Sequence, residues 1–184
     1  MNLATIAFRP CTHDDLPTVA GWLAQPHVAP WWQEDPDLTA VRAKYLPCLD
    51  GSDPTELFIL EAEGGPAGFF QRYLIADEPS WAAALRGTGQ PDTDTAAGID
   101  YLIGDAALTG RGLGTASIAA FTRLAFTRYP AIGLMAVTVA QANTASWRAL
   151  EKAGYRRSWA GELDSDDPSD EGPQYLYRYE RPAM

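Results

Sequence analysis

The sequence predicts a mixed α/β fold of the α+β class, a sheet of about seven strands flanked by about four helices. Three observations carry that expectation. Apolar residues recur at helical spacing in some segments and in short strand-like runs in others, giving the order β-α-α-β-β-β-α-β-α-β-β. A strand-like run, Ile99–Ile103, leads through a short loop and a glycine turn, Gly110-Arg111-Gly112-Leu113-Gly114, into a helix-like run. The 184 residues suit one domain with a sizeable core, and no repeat, linker or second domain interrupts residues 1–184.

In chain order, Ile6–Pro10 reads as a first strand. Thr12-His13-Asp14-Asp15 resembles a capping box, and Leu16, Val19, Ala20 and Leu23 then keep helical spacing up to Pro26. A proline-bounded loop, His27 to Trp32, follows. Trp31 and Trp32 either plug a core edge or leave one indole, taken as Trp31, at a pocket rim to stack on a sugar or a cation. Asp35-Pro36 reads as the cap and first position of a second helix, whose stripe is Leu38, Val41, Tyr45, Leu46 and Leu49.

Glu56–Glu61 and Ala67–Ile75 flank Gly64-Gly65 as a hairpin. Gln71 and Tyr73 share one face of the second strand, either exposed or aimed at a ligand. The run Asp77–Ala97 is rich in Pro, Gly, Asp and Thr and reads as a long irregular loop. It is either a solvated insertion or a lid whose acids and Trp81 suit a polyamine or amino sugar. Beyond the glycine turn, Ile118, Phe121, Leu124 and Ala125 extend a helix towards Arg128, and Ile132–Val139 is a buried-strand candidate. Asn143 is a natural N-cap for Thr144–Ala153, which ends at Gly154. Tyr155–Leu163 and Gln174–Tyr179 read as the last two strands, joined by an acidic, solvated loop.

The chemistry concentrates in Ile99–Ala120. Amides left free at a helix N-terminus and the helix dipole form an anion site, and glycines let a phosphate approach the main chain. The implied ligand is a phosphorylated cofactor. A dinucleotide fold needs an acid about 20 residues on, yet residues 116–135 contain no Asp or Glu. A Walker loop needs Lys-Ser/Thr behind its second glycine, which Leu113-Gly114-Thr115 does not supply. An ordinary strand-to-helix connection is the remaining alternative. Asp100 sits inside the strand, where a charge needs a partner or a task.

The formal net charge of −10 argues against nucleic acid and anionic membranes. It suits a cationic substrate, or serves solubility alone. Arg111 and the Arg156-Arg157 pair can offset an anionic cofactor locally. Cys11, Cys48 and the two histidines have no metal-ligand spacing, so no metal is expected. Neither a charged leader with a long apolar run nor a run of about 18 apolar residues is found, so a cytoplasmic protein is expected.

Thr109-Gly110-Arg111-Gly112-Leu113-Gly114 resembles the acetyl-CoA loop of the GNAT N-acetyltransferases, Gln/Arg-x-x-Gly-x-Gly/Ala, with Thr109 departing at the first position. Asn143 with Arg148-Ala149-Leu150-Glu151-Lys152-Ala153-Gly154-Tyr155 is similar to the family's second signature. Within that family, His27-Val28-Ala29-Pro30-Trp31-Trp32, Gly68-Phe69-Phe70-Gln71-Arg72-Tyr73 and Gly98-Ile99-Asp100 resemble the aminoglycoside 6′-N-acetyltransferases. Siderophore-type lysine N-acyltransferases share a comparable Trp-Trp segment and domain plan.

The resemblance implies a mixed, mostly antiparallel twisted sheet splayed between its fourth and fifth strands. It implies pyrophosphate on the amides of Arg111, Gly112, Leu113, Gly114 and Thr115, and a pantetheine arm along Tyr101, Leu102 and Ile103 positioned by Asn143. Asp100 becomes the acid that orients the ammonium and takes its proton. Asp77 and Trp81 become acceptor-binding groups. Two departures stand out: Leu150 occupies the place of the family's general-acid tyrosine, and Thr138 that of an acid on the fifth strand. Three functions follow: an acetyl-CoA-dependent transferase for a cationic small-molecule amine such as an aminoglycoside, a siderophore or lysine-type N-acyltransferase, or a non-catalytic acyl-CoA-binding domain. The expected assembly is a monomer or homodimer.

Overall fold

A computed structural model describes residues 6–183; the first five residues of the N-terminal stretch read for a leader lie outside it. The elements are β1 Ala7–Pro10, α1 Leu16–Leu23, α2 Ala29–Trp32, α3 Leu38–Asp50, β2 Glu56–Ala62, β3 Gly65–Leu74, α4 Pro79–Gly87, β4 Ala97–Ile103, α5 Leu113–Arg128, β5 Leu134–Ala140, α6 Thr144–Lys152, β6 Arg156–Glu162 and β7 Pro173–Glu180. The strands hydrogen-bond in the order β1-β2-β3-β4-β5-β7-β6. The β1–β2, β5–β7 and β6–β7 pairs are antiparallel, and β4 pairs with β5 in parallel at Ala97 and Met135. A mixed sheet of seven strands is therefore present.

Contacts group the described residues into two compact units, residues 6–71 with 100–117 and residues 72–99 with 118–183. In the first, α1 and α3 bury Leu16, Val19, Leu23, Val41 and Tyr45 against Ile59, Phe69 and Leu102. Each such side chain withdrawn from water contributes about 1.5–3 kcal/mol before the entropy of ordering is subtracted. The expected capping box forms between Thr12 and Asp15. Asp15 also holds both terminal nitrogens of Arg9 at 2.7 Å, tying the end of β1 to the start of α1. In the second unit, Ile75, Ala82, Leu85, Ala96, Leu134, Ala136 and Leu176 form the core, with Trp81 packed against it.

The structure differs from the sequence reading at four points. The segment around the two tryptophans is not a loop: Ala29–Trp32 forms one helical turn with Pro30 inside its first turn, where a missing N–H is harmless. Asp37, not Asp35, caps α3, accepting from the Thr39 N–H at 2.8 Å, while Asp35 accepts from the Asp37 N–H in the turn before it. The hairpin turns on Glu63 and Gly64, both with positive φ, one residue earlier than expected. The run 77–97 is not one irregular loop: Pro79 opens α4, whose Ala82 and Leu85 reach the core.

Candidate active site

The first unit holds the second half of β4, from Asp100 on, and the glycine turn. Gly104 N–H donates to Ala67 O at 2.8 Å, which sets the register between β4 and β3. Counting four residues on from Ala67 and four back from Gly104 brings Gln71 opposite Asp100 on one face of the sheet. The Phe70 and Tyr101 rings, stacked 5.7 Å apart on the other face, agree with this register. Within β4, Ile99 and Leu102 are buried while Asp100 is exposed, so its charge stays hydrated. Gly104 lies directly beneath the Trp22 indole of α1, and Gly68 beneath Leu102 O.

Successive residues of a strand point their backbone groups to opposite edges. Because Gly104 N–H faces β3, the N–H and C=O groups of Tyr101 and Ile103 face away from β3, towards the other edge. His27 Nε2 lies 2.9 Å from Ile103 O; a carbonyl only accepts, so Nε2 carries the proton. That bond fastens the segment before α2 to the end of β4. Trp32 packs on Phe69, with ring centroids 5.9 Å apart, and joins the core, whereas Trp31 stays half-buried outside that cluster. Trp32 therefore takes the core-edge role that the sequence allowed for one of the pair.

The turn before α5 has the geometry of an anion cradle. Gly110 and Gly112 take φ of 68° and 89°, a region that penalises any Cβ. Ala116 N–H bonds back to Gly112 O, so the amides of Leu113, Gly114 and Thr115 precede the first full turn and project from the helix end. Thr109, the departure from the family motif, spends its hydroxyl on Ala106 O at 2.8 Å, and Arg111 lies exposed beside the turn.

Tyr45, which the sequence reading placed only in an apolar stripe, is a polar hub of this unit. Its hydroxyl lies 2.8 Å from Glu34 Oε2 and 3.3 Å from Gln71 Nε2. Burial, then the charges of Glu34 and Asp100, push its phenol well above the ordinary range, so it remains a donor. The i, i+3, i+4 spacing of α3 located Tyr45; nothing local in the sequence pointed to Glu34, which arrives through the turn after α2.

The second unit holds the remaining candidates. Tyr73 lays its ring over Gly98, where an added Cβ would sit 2.5 Å from the ring. Asp77 is exposed at the end of a single 3-10 turn, and Trp81 is half-buried on α4. Asn143 caps α6, its side-chain oxygen accepting from Ser146 N–H at 3.2 Å. Leu150 is fully buried, so the position of the missing tyrosine is filled by core packing. Among the described residues no cluster of metal-ligand type occurs, and no helix is long and apolar enough to cross a membrane.

A strand that leads through a glycine turn into a helix, on this strand order, has the architecture of an acyl-CoA-dependent acyltransferase. The chain belongs to the GNAT family: residues 12–163 match the sequence profile described as "Acetyltransferase (GNAT) domain". It is 29% identical over 157 residues to aminoglycoside N(6′)-acetyltransferase type 1 of Klebsiella pneumoniae, covering 83% of this chain and 75% of that protein. The protein of the same name from Serratia marcescens matches equally. Among solved structures, aminoglycoside acetyltransferase AAC(6′)-Ib in complex with coenzyme A superposes with a TM-score of 0.80 at 27% identity, covering 96% of this chain and 95% of that one. The same enzyme with coenzyme A and kanamycin gives 0.80 at 26% identity, over 96% and 95% of the two chains.

Proposed function

We propose that residues 1–184 form a single acetyltransferase domain that moves the acetyl group of acetyl-CoA to a primary amine of a cationic small molecule, the 6′-amino group of an aminoglycoside. The observation that carries this reading is Asp100, an exposed acid in the middle of β4, on the strand that leads into the glycine turn. The family, the acceptors named for the relatives, and the net charge of −10 support it.

In the reaction, the amine nitrogen attacks the thioester carbonyl; a C–N bond forms, the C–S bond breaks, and the thiolate leaves with the electron pair. Asp100 orients the ammonium and removes its proton, directly or through one water, so that a lone pair is available. The amides of Arg111, Gly112, Leu113, Gly114 and Thr115 hold the pyrophosphate, and the pantetheine arm lies along Tyr101, Leu102 and Ile103, pairing with the outward groups of Tyr101 and the Ile103 N–H, since Ile103 O is taken by His27. Holding both reactants so removes much of the entropic barrier. Asn143 uses its oxygen as a helix cap and keeps its NH₂ for the arm. Trp31, Gln71, Tyr73, Asp77 and Trp81 contact the acceptor. Leu150, buried and without a proton to give, leaves the thiolate to be protonated by water or by another group, and a CoA thiolate can leave unassisted.

The setting is cytoplasmic, without nucleic-acid or membrane partners. Thiol release from acetyl-CoA with a panel of amines tests the reading. Turnover on kanamycin-class sugars is expected. Preference for a lysine derivative or a long acyl chain would replace it with the siderophore-type reading, and CoA binding without turnover on any amine would remove catalysis.

A further inference from the structure

The contacts around Tyr45 run in a fixed direction, set by which groups can donate. Lys44 Nζ, 2.7 Å from Glu34 Oε1, only donates, and the carboxylate only accepts. The Tyr45 hydroxyl, 2.8 Å from Glu34 Oε2, must therefore give its one proton to Glu34. Its oxygen then has only lone pairs to offer, so the group of Gln71 that faces it at 3.3 Å is the NH₂. The Gln71 carbonyl oxygen is turned the other way, and no group among the described residues engages it. The β3–β4 register puts that side chain across from Asp100. Tyr45 is 1% exposed and the Glu34 side chain 14%, so water competes little for these bonds.

We propose that Glu34 and Tyr45 are positioning residues that lock the Gln71 amide with its carbonyl oxygen towards the acceptor, so that Asp100 and Gln71 together offer two hydrogen-bond acceptors to one nitrogen. An ammonium, with several N–H donors, satisfies both at once; a hydroxyl, with one proton, satisfies one. The relay thereby selects a charged amine over an alcohol. This rests on the reading that Asp100 faces the acceptor amine.

Glu34→Gln is the sharpest test, because it keeps shape and reverses polarity. Lys44 would hold the new carbonyl oxygen, the new NH₂ would donate to the Tyr45 oxygen, and the Tyr45 proton would turn to Gln71. The Gln71 amide then flips and presents NH₂ to the ammonium. The expected result is an amine KM raised about tenfold, with kcat within about threefold and the acetyl-CoA KM unchanged. Adding Gln71→Glu to E34Q supplies two equivalent oxygens, one for Tyr45 and one for the substrate, and restores the amine KM. An amine KM unmoved by E34Q, or a double variant no better than E34Q, overturns the relay. The Gln71 side-chain amide signals, followed by ¹⁵N NMR without substrate, should shift in E34Q; unchanged signals also overturn it. Absence of amine turnover by the unsubstituted protein defeats the functional reading instead, and leaves the NMR result to decide the relay.

Discussion

Replacing Gly104 by alanine tests how β4 is held. A Cβ built there lies 2.2 Å from two atoms of the Trp22 indole and 2.3 Å from a third, far inside van der Waals contact. The indole is a rigid plane, and its helix is fixed by Leu16, Val19 and Leu23 in the core of the first unit. Either Trp22 leaves its site or the end of β4 moves. Overpacking of this kind costs about 1–3 kcal/mol, and the close contact to three ring atoms puts the expected cost at roughly 2–3 kcal/mol. For a chain of this length, each kcal/mol lowers Tm by roughly 2–4 °C, so G104A should melt roughly 4–12 °C lower in calorimetry. Trp22→Leu removes the clashing ring. On its own it destabilises, but in the G104A background it should recover part of the loss, a coupling of more than 0.5 kcal/mol by the double-mutant cycle. A fall in Tm below about 1 °C, or strict additivity of the two changes, would refute the packing argument.

Asp15, held by Arg9, titrates near pH 2 instead of its ordinary 3.8. A carboxyl lowered on folding stabilises above its unfolded pKa and loses that contribution as pH falls through the folded value. The lowered pKa corresponds to at most about 2.4 kcal/mol, which we reduce to about 1 kcal/mol because the Arg9 side chain is 34% exposed. Urea midpoints should therefore fall between about pH 4 and 2, with a shallower fall in Asp15→Asn; equal slopes would contradict the pairing. Asn143→Ala should cost about 0.5–2 kcal/mol through the lost cap. Asn143→Asp keeps the cap but lacks the NH₂, so calorimetry should find its Tm retained and its CoA affinity reduced. Unreduced affinity in N143D would leave Asn143 a cap alone.

The parts of the fold legible in the sequence are those set by neighbours along the chain. The glycine turn, the strand before it, the Asn143 cap and the Thr12–Asp15 box each need only a few adjacent residues. The errors arose where two local solutions compete. Asp35 and Asp37 both offer a capping oxygen, and the structure uses one for the turn and the other for the helix. Pro79, Gly87 and Gly89 make residues 77–97 read as loop, yet nine residues suffice for a helix whose Ala82 and Leu85 find a core. Asp100 and the face it shares with Gln71 follow from strand alternation once the register is known. The Glu34–Tyr45 contact and the His27–Ile103 bond were not legible, since they join residues brought together only by tertiary packing.

Asp100 is assigned to the amine and the glycine turn to the cofactor. Asp100→Asn, assayed for thiol release with acetyl-CoA and kanamycin and titrated with CoA by calorimetry, separates the two. Turnover should fall by about 10²–10⁴-fold, the range for removal of a general base, with CoA affinity within about twofold of the parent. Turnover retained, or CoA affinity lost in step with it, would contradict that division of roles.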